Sequence, residues 1–199
     1  GHSAESFACL LAILAGVNFV ALANDLVGVF LGLEMVSIPT YILLYLGRSD
    51  WMSREATIKY FLLSIFSSAL VLYGLTWIFG LAGSTNFVAI STRIDAIGGH
   101  PMLLVALALT LAGISFRLTA VPFHFYAPDV FQGVAPAASA MLSFLPKLVG
   151  FAAILQIFPL VLRAAGGSTQ SDASAILFTA LAVLTMTFGN IMALRQKNV

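Results

Sequence analysis

From Phe7 to Leu46 the chain carries only two charged side chains, Asp25 and Glu34. A membrane-crossing helix takes about 20 mostly apolar residues, so a run of this length is two helices and not one. Asn24–Asp25 is the natural turn, which predicts helices over 6–22 and 26–46. Further apolar runs predict helices over 55–81, 101–123, 137–162 and 173–194. In hydrocarbon every backbone donor and acceptor has to be satisfied within the chain, and a helix does this segment by segment. The expectation is an all-α integral membrane protein with about six transmembrane helices, residues 1–199 forming one membrane domain.

The balance of residues agrees with a lipid solvent. Hydrophobic residues make up 60% of the chain and charged residues 9%, where a soluble domain is about one quarter charged. A net charge of +1 with no Lys/Arg-rich stretch argues against a nucleic-acid partner. Cys9 is the single cysteine, which leaves no internal disulfide, zinc site or cysteine-held cluster; it is expected to pack as a small hydrophobe. The chain has no P-loop, GxGxxG, HExxH or nucleophile elbow, and no histidine pairing of the metal-binding kind. No catalytic, metal-ligating or cofactor-binding residue is therefore assigned, and no redox chemistry of its own.

The longest connection, 82–100, has Asn86 placed to cap a short interfacial helix that Gly98–Gly99 would stop. Gly28 and Gly32 offer a close-packing face. The first residues, GHSAES, lack the basic start of a signal peptide. Six crossings put both ends on one side. That side carries Arg48, Arg54, Arg195 and Lys197, against Arg93 and Arg163 opposite, which orients both ends to the cytoplasm.

Four charged side chains fall inside the expected helices: Glu34, Lys59, Arg117 and Lys147. At mid-bilayer each costs about 3 kcal/mol or more, so each must meet protein, water or an opposite charge. One reading is structural, an ion pair or a long side chain snorkelling to the interface. The other is a row of titratable groups along a hydrated path. Lys59, close to its helix start, fits either. Glu34 is too deep and too short to snorkel, and it is paired or functional. Arg117 and Lys147 each lie about fifteen residues from a turn centred near Gln132, which puts both cations about 20 Å from that turn.

Pro39, Pro122 and Pro146 free the carbonyls of Met35, Leu118 and Leu142, beside Glu34, Arg117 and Lys147. Broken backbone at membrane depth belongs inside protein or along a hydrated cavity. His124, seven residues after Arg117, shares its face if the helix survives Pro122. It reads as a proton relay at a channel mouth, or as an interfacial histidine in an aromatic belt with Phe123, Phe125 and Tyr126.

The stretches "NDLVGVFLGLEMVSIPTYIL", "EATIKYFLLSIFSSALVLYG", "FRLTAVPFHFYAPDVFQG" and "SFLPKLVGF" resemble the proton-antiporter-like membrane family, in particular its N-type branch in bacterial respiratory complex I (NADH:quinone oxidoreductase). The resemblance implies a proton-translocating subunit driven by quinone reduction elsewhere, with a pathway through Glu34, Lys59, Arg117, His124 and Lys147. Glu34 would pair with a buried cation, for which Arg117 is the expected partner, and Lys147 would be the central proton carrier. It implies no cofactor in this chain, but NAD, FMN, iron–sulfur clusters and quinone in partner subunits. It implies other complex I membrane subunits as partners, and the bacterial inner (cytoplasmic) membrane as location. Residues 1–162 would form a first five-helix antiporter-like repeat with broken helices, and 163–199 the first helix of the next. Earlier helices and most of the second repeat are then missing, so the chain reads as a fragment that alone completes no transport cycle. The alternatives are a subunit of an Mrp-type sodium/proton antiporter and a non-conducting membrane scaffold.

Position 117 departs from the family pattern, where most members carry lysine. Lysine can give up its proton when buried, and guanidinium effectively cannot. Arg117 is thus expected to be a permanent positive field beside Lys147, screened or exposed as Glu34 moves.

Overall fold

The computed structural model describes residues 3–47, 50–97, 100–164 and 169–195. Arg48, Gly98, Gly99 and Lys197 lie outside them, as does the side chain of Arg163. The described chain is helical throughout: α1 Ser3–Leu22, α2 Leu26–Gly47, α3 Trp51–Ala82, α4 Phe87–Ile97 and α5 Pro101–Arg117. A 3₁₀ turn Phe123–Tyr126 follows, then α6 Ala127–Gly133, α7 Pro136–Ala164 and α8 Thr169–Arg195. Five of these helices are long and apolar enough to cross a membrane, and α5 is a shorter apolar helix.

The packing is that of a lipid-solvated bundle. Phe7, Leu11, Leu22, Leu62 and Phe66 stand exposed on the outer faces, while small residues bring the backbones together inside. At the α3–α5 crossing, a Cβ added at Gly74 would lie 2.7 Å from the Ala106 carbonyl oxygen, and one at Gly113 would lie 2.6 Å from that of Ser67. Only glycine admits this approach, and each helix contributes one. Gly32 serves the α1–α2 contact in the same way, against Val20. Gly28 is less tightly met, its nearest neighbour being Ala23 Cβ at 3.3 Å. One apolar core joins Val20, Val29, Val36, Val71, Ile114 and Val149; a second gathers Leu44, Tyr60, Phe116, Tyr126 and Leu142. Cys9 is free and buried.

The α1–α2 turn is stitched to the loop before α4. Leu26 N–H donates to Thr85 O at 2.9 Å, and Phe87 N–H donates to Asn24 O at 3.0 Å. Asp25 Oδ1 accepts from Gly28 N–H at 2.7 Å, and Asn86 Oδ1 caps α4 by accepting from Val88 and Ala89 N–H at 2.9 and 3.2 Å.

Two expectations are corrected. The apolar run from Pro101 leaves the α-helix at Arg117 and not at Phe123, because Pro122 has no N–H to continue the ladder. The last turn closes on itself instead: Thr119, at φ 54°, donates to Phe116 O, and Ala120 donates to Ser115 O. The segment near Gln132, expected to be a turn, is helical as α6, and the chain turns at Val134–Ala135. Pro39 and Pro146, by contrast, are absorbed within continuing helices.

Candidate functional site

Helical spacing assembles the site. On α2, Glu34, Ser37 and Tyr41 recur at intervals of three and four, and on α3 Tyr60, Ser64 and Ser68 recur at intervals of four. Both stripes face the end of α5, where Arg117 is 3% exposed. The carbonyls at a helix C-terminus make this a favourable place for a cation.

The expected Glu34–Arg117 pair is present. One terminal guanidinium nitrogen, Nη2, lies 3.1 Å from Glu34 Oε1 and 3.4 Å from Ser68 Oγ; the other, Nη1, donates to Ser37 Oγ. Ser68 itself donates to Glu34 Oε1 at 2.5 Å, so two donors converge on one carboxylate oxygen. Arg117 Nε is buried and has no partner among the described residues. Glu34 keeps 25% of its side chain exposed.

Lys147 is half-buried on α7. Its Nζ donates to Leu142 O at 3.1 Å and lies 5.6 Å from the centre of the Phe131 ring. Gly150, one turn along α7, packs against Leu118 and Arg117, and a Cβ there would be 3.5 Å from Arg117 Cβ. The Cα atoms of Arg117 and Lys147 are therefore about one helical turn apart in level, roughly 5 Å, on neighbouring helices. Between them stand aromatic rings. Tyr126 stacks on Phe116 at 4.6 Å, and Tyr60 meets Tyr126 edge-on at 5.9 Å. Tyr60, Tyr126, Phe131 and Lys147 line one narrow crevice.

The remaining two expected residues stand apart from this group. Lys59 is half-exposed and binds Asp129 Oδ2 at 2.8 Å and Glu55 Oε1 at 2.9 Å, which ties α3 to α6. His124 does not share a face with Arg117, since α5 has already ended. Its Nε2 lies 3.0 Å from Met192 Sδ on α8, and its Nδ1 is buried without a partner among the described residues. It lines a cavity of about 630 Å³ with Thr119, Gln132, Ser139 and Met192.

Sequence reasoning missed Ser37, Ser68, Asp129 and the tyrosines. The four-residue recurrence of hydroxyls at 60, 64 and 68 was a usable signal for part of this group. Asp129 carried none, because its partner is seventy residues away.

Residues 23–199 match the family model described as NADH:quinone oxidoreductase/Mrp antiporter, TM. The chain is 41% identical over 197 residues to NADH-quinone oxidoreductase subunit N of Trichlorobacter lovleyi, a match covering 98% of this chain and 39% of that protein. Its fold superposes with a TM-score of 0.78 on a chain of respiratory complex I from Thermus thermophilus, at 30% identity, covering 98% of this chain and 40% of that one. A chain of the Mrp complex from a Dietzia species gives a TM-score of 0.67 at 27% identity, covering 75% of this chain and 28% of that one. The chain thus spans about two fifths of the length of the subunit N relative.

Proposed function

The chain belongs to the NADH:quinone oxidoreductase/Mrp antiporter transmembrane family, and from that premise we propose that it is part of a proton-translocating subunit of NADH:quinone oxidoreductase. Quinone reduction in partner subunits supplies the energy, and this chain moves protons through buried charges. The observation that carries the reading is the buried Arg117–Glu34 pair at the end of a broken helix, one turn from the level of Lys147. A purely structural role does not call for a second cation on a neighbouring helix within the span.

In this reading α5, the 3₁₀ turn and α6 together make one interrupted crossing, which brings the crossings to six. Residues 1–162 form the first repeat and 163–199 open the second. Both ends face the cytoplasm of a bacterial cell, and the partners are other membrane subunits of the complex. NAD, FMN, iron–sulfur clusters and quinone belong to those partner subunits. Lys147 is the switching carrier, and Arg117 is a fixed charge whose effect on Lys147 depends on the position of Glu34. His124 exchanges protons at the cytoplasmic mouth, and Lys59 anchors the interrupted segment beside it.

The similarity to the Mrp complex supports a second reading, a cation/proton antiporter with no redox partner. Affinity purification of the full-length, tagged subunit from its native membrane separates the two. Co-purification with NADH dehydrogenase activity is the expected result. Recovery with antiporter subunits and no quinone reductase activity would establish the second reading instead.

A further inference from the structure

The break after Arg117 leaves backbone groups at membrane depth, where each has to find a partner inside the protein. Between Leu118 and Phe123 all but one of the donors find it nearby. Leu118 N–H donates to Ile114 O at 3.3 Å, Thr119 to Phe116 O at 3.0 Å, Ala120 to Ser115 O at 2.9 Å and Phe123 to Ala120 O at 2.8 Å. Pro122 has no N–H to place. Val121 is the exception: its N–H donates to Thr185 Oγ1 at 3.1 Å, a side chain 64 residues away on α8.

The exposure pattern of α8 singles out the same contact. From Ile176 to Arg195 only Leu177, Phe178, Leu181, Thr185 and Met192 are covered, and every other residue of the stretch is exposed. Phe178, Leu181, Thr185 and Met192 follow one another at intervals of three, four and seven, so they share one helical face. At one end of that face Phe178 packs edge-on against Phe158 of α7 at 5.7 Å. Further along, two contacts are made with the interrupted segment: Thr185 with Val121, and Met192 Sδ with His124 Nε2 at 3.0 Å. Gly189 lies between them, and a Cβ there would meet nothing within 4 Å; it borders the cavity of about 630 Å³ that His124 also lines.

We infer that Thr185 is a positioning residue for the interrupted crossing, and that the Thr185–Met192 face of α8 latches the break in its bent form. A backbone N–H left without an acceptor in an apolar surrounding is costly, so the bend at Val121 depends on a hydroxyl from another helix. Withdrawing that hydroxyl sends the Val121 N–H to a different acceptor and moves its neighbours, with Arg117 four residues before it and His124 three after. Met192 contributes less, because a thioether is a weak acceptor, but it fixes the His124 ring from the same face. In the proton-translocating reading α8 opens the second repeat, so the break in one repeat takes its shape from the first helix of the next.

The importance of the latch for transport rests on that reading, and two readouts keep them distinguishable. Thr185→Val keeps the side-chain shape and removes the acceptor, whereas Thr185→Ser keeps the acceptor. Both are introduced into the full-length subunit within the assembled complex, with Lys147→Ala in parallel. Amide hydrogen exchange in a peptide spanning residues 118–124 is measured, together with pumped protons per electron in sealed vesicles. In Thr185→Val the Val121 amide should exchange about tenfold faster or more, and in Thr185→Ser at the unaltered rate. Pumping should fall severalfold in Thr185→Val and return in Thr185→Ser. Unchanged exchange in Thr185→Val overturns the latch, whatever the pumping does. If exchange quickens but Thr185→Val pumps normally while Lys147→Ala does not, the positioning role is overturned and the functional reading stands. If Lys147→Ala pumps normally, the functional reading is overturned, and exchange alone decides the latch.

Discussion

Lys147 Nζ occupies the backbone acceptor that Pro146 leaves vacant. The Leu142 carbonyl, four residues before the proline, has no helical N–H to receive, and the ammonium donates to it at 3.1 Å. The proline and the lysine beside it are one device: the helix supplies a resting acceptor for its own charged side chain, without recruiting a carboxylate.

Lys147 should be irreplaceable by either a neutral or a permanently charged residue. Lys147→Ala removes the proposed carrier, and Lys147→Arg keeps the charge but not the ability to release a proton. Both are expected to abolish pumping through this half in the full-length complex. Normal pumping by Lys147→Arg, measured in vesicles, would contradict a carrier role.

Restoring the backbone donor should detach the lysine. In Pro146→Ala the residue 146 N–H can bond Leu142 O, and Lys147 loses its resting partner. The subunit is expected to assemble with the same or greater thermal stability and to pump less well. Reduced stability with unaltered pumping would run against this coupling.

Breaking the Glu34–Arg117 pair should cost more than removing it. One buried charge left alone costs about 3–5 kcal/mol, and the partial exposure of Glu34 points to the lower end of that range. Glu34→Gln and Arg117→Ala should each impair assembly, whereas Arg117→Lys should be tolerated. The double variant Glu34→Gln/Arg117→Met should be more stable than the sum of the single losses allows, which a double-mutant cycle on thermal unfolding reads directly.

The α3–α5 crossing should reject even one methyl group. Gly113→Ala places a Cβ against Ser67 O and Val71, and Gly74→Ala does the same against Ala106 O and Thr110. Each should destabilise the bundle by about 1–3 kcal/mol. Gly80→Ala, with open space around it, should not. Melting curves of the three variants in detergent provide the comparison.

Lys59→Ala should be milder than Arg117→Ala in both assembly and pumping. Lys59 is half-exposed and has two carboxylates in reach, so neither depends on it as Glu34 depends on Arg117. Asp129→Asn should resemble Lys59→Ala, since both cut the same tie between α3 and α6. Equal severity of Lys59→Ala and Arg117→Ala would place Lys59 within the pathway.

What could be read from the sequence followed from cost. A glutamate and an arginine at membrane depth have to find partners, and that cost alone pairs Glu34 with Arg117. Helices α2 and α3 and the Asn86 cap were legible for similar reasons, through apolar length and capping chemistry. The extent of the interruption was not. From Leu118 to Phe123 the residues stay mostly apolar, so hydropathy runs on past the point where the backbone leaves the helix. Glycine was misleading in another way. Gly28 and Gly32 stand out by their spacing, yet Gly74 and Gly113, which share no such spacing with another glycine, make a close crossing by meeting one another's helices. The His124 register failed because its premise, an α-helix continuing through Pro122, fails at Arg117.

The stitch between Asn24 and Phe87, and between Leu26 and Thr85, makes the bundle mechanically unequal at its two ends. About 35 Å away along α3, around Lys59, the link to α6 is made by the Lys59–Asp129 pair and by the packing of Gly133 on Ala56, and among the described residues no backbone hydrogen bond joins the two helices there. A set of rods pinned at one rim opens like a fan, with the least travel at the pin and the most at the free edge. In the proton-translocating reading, the travel that admits protons would be largest near Lys59 and Asp129 and smallest at the pinned rim.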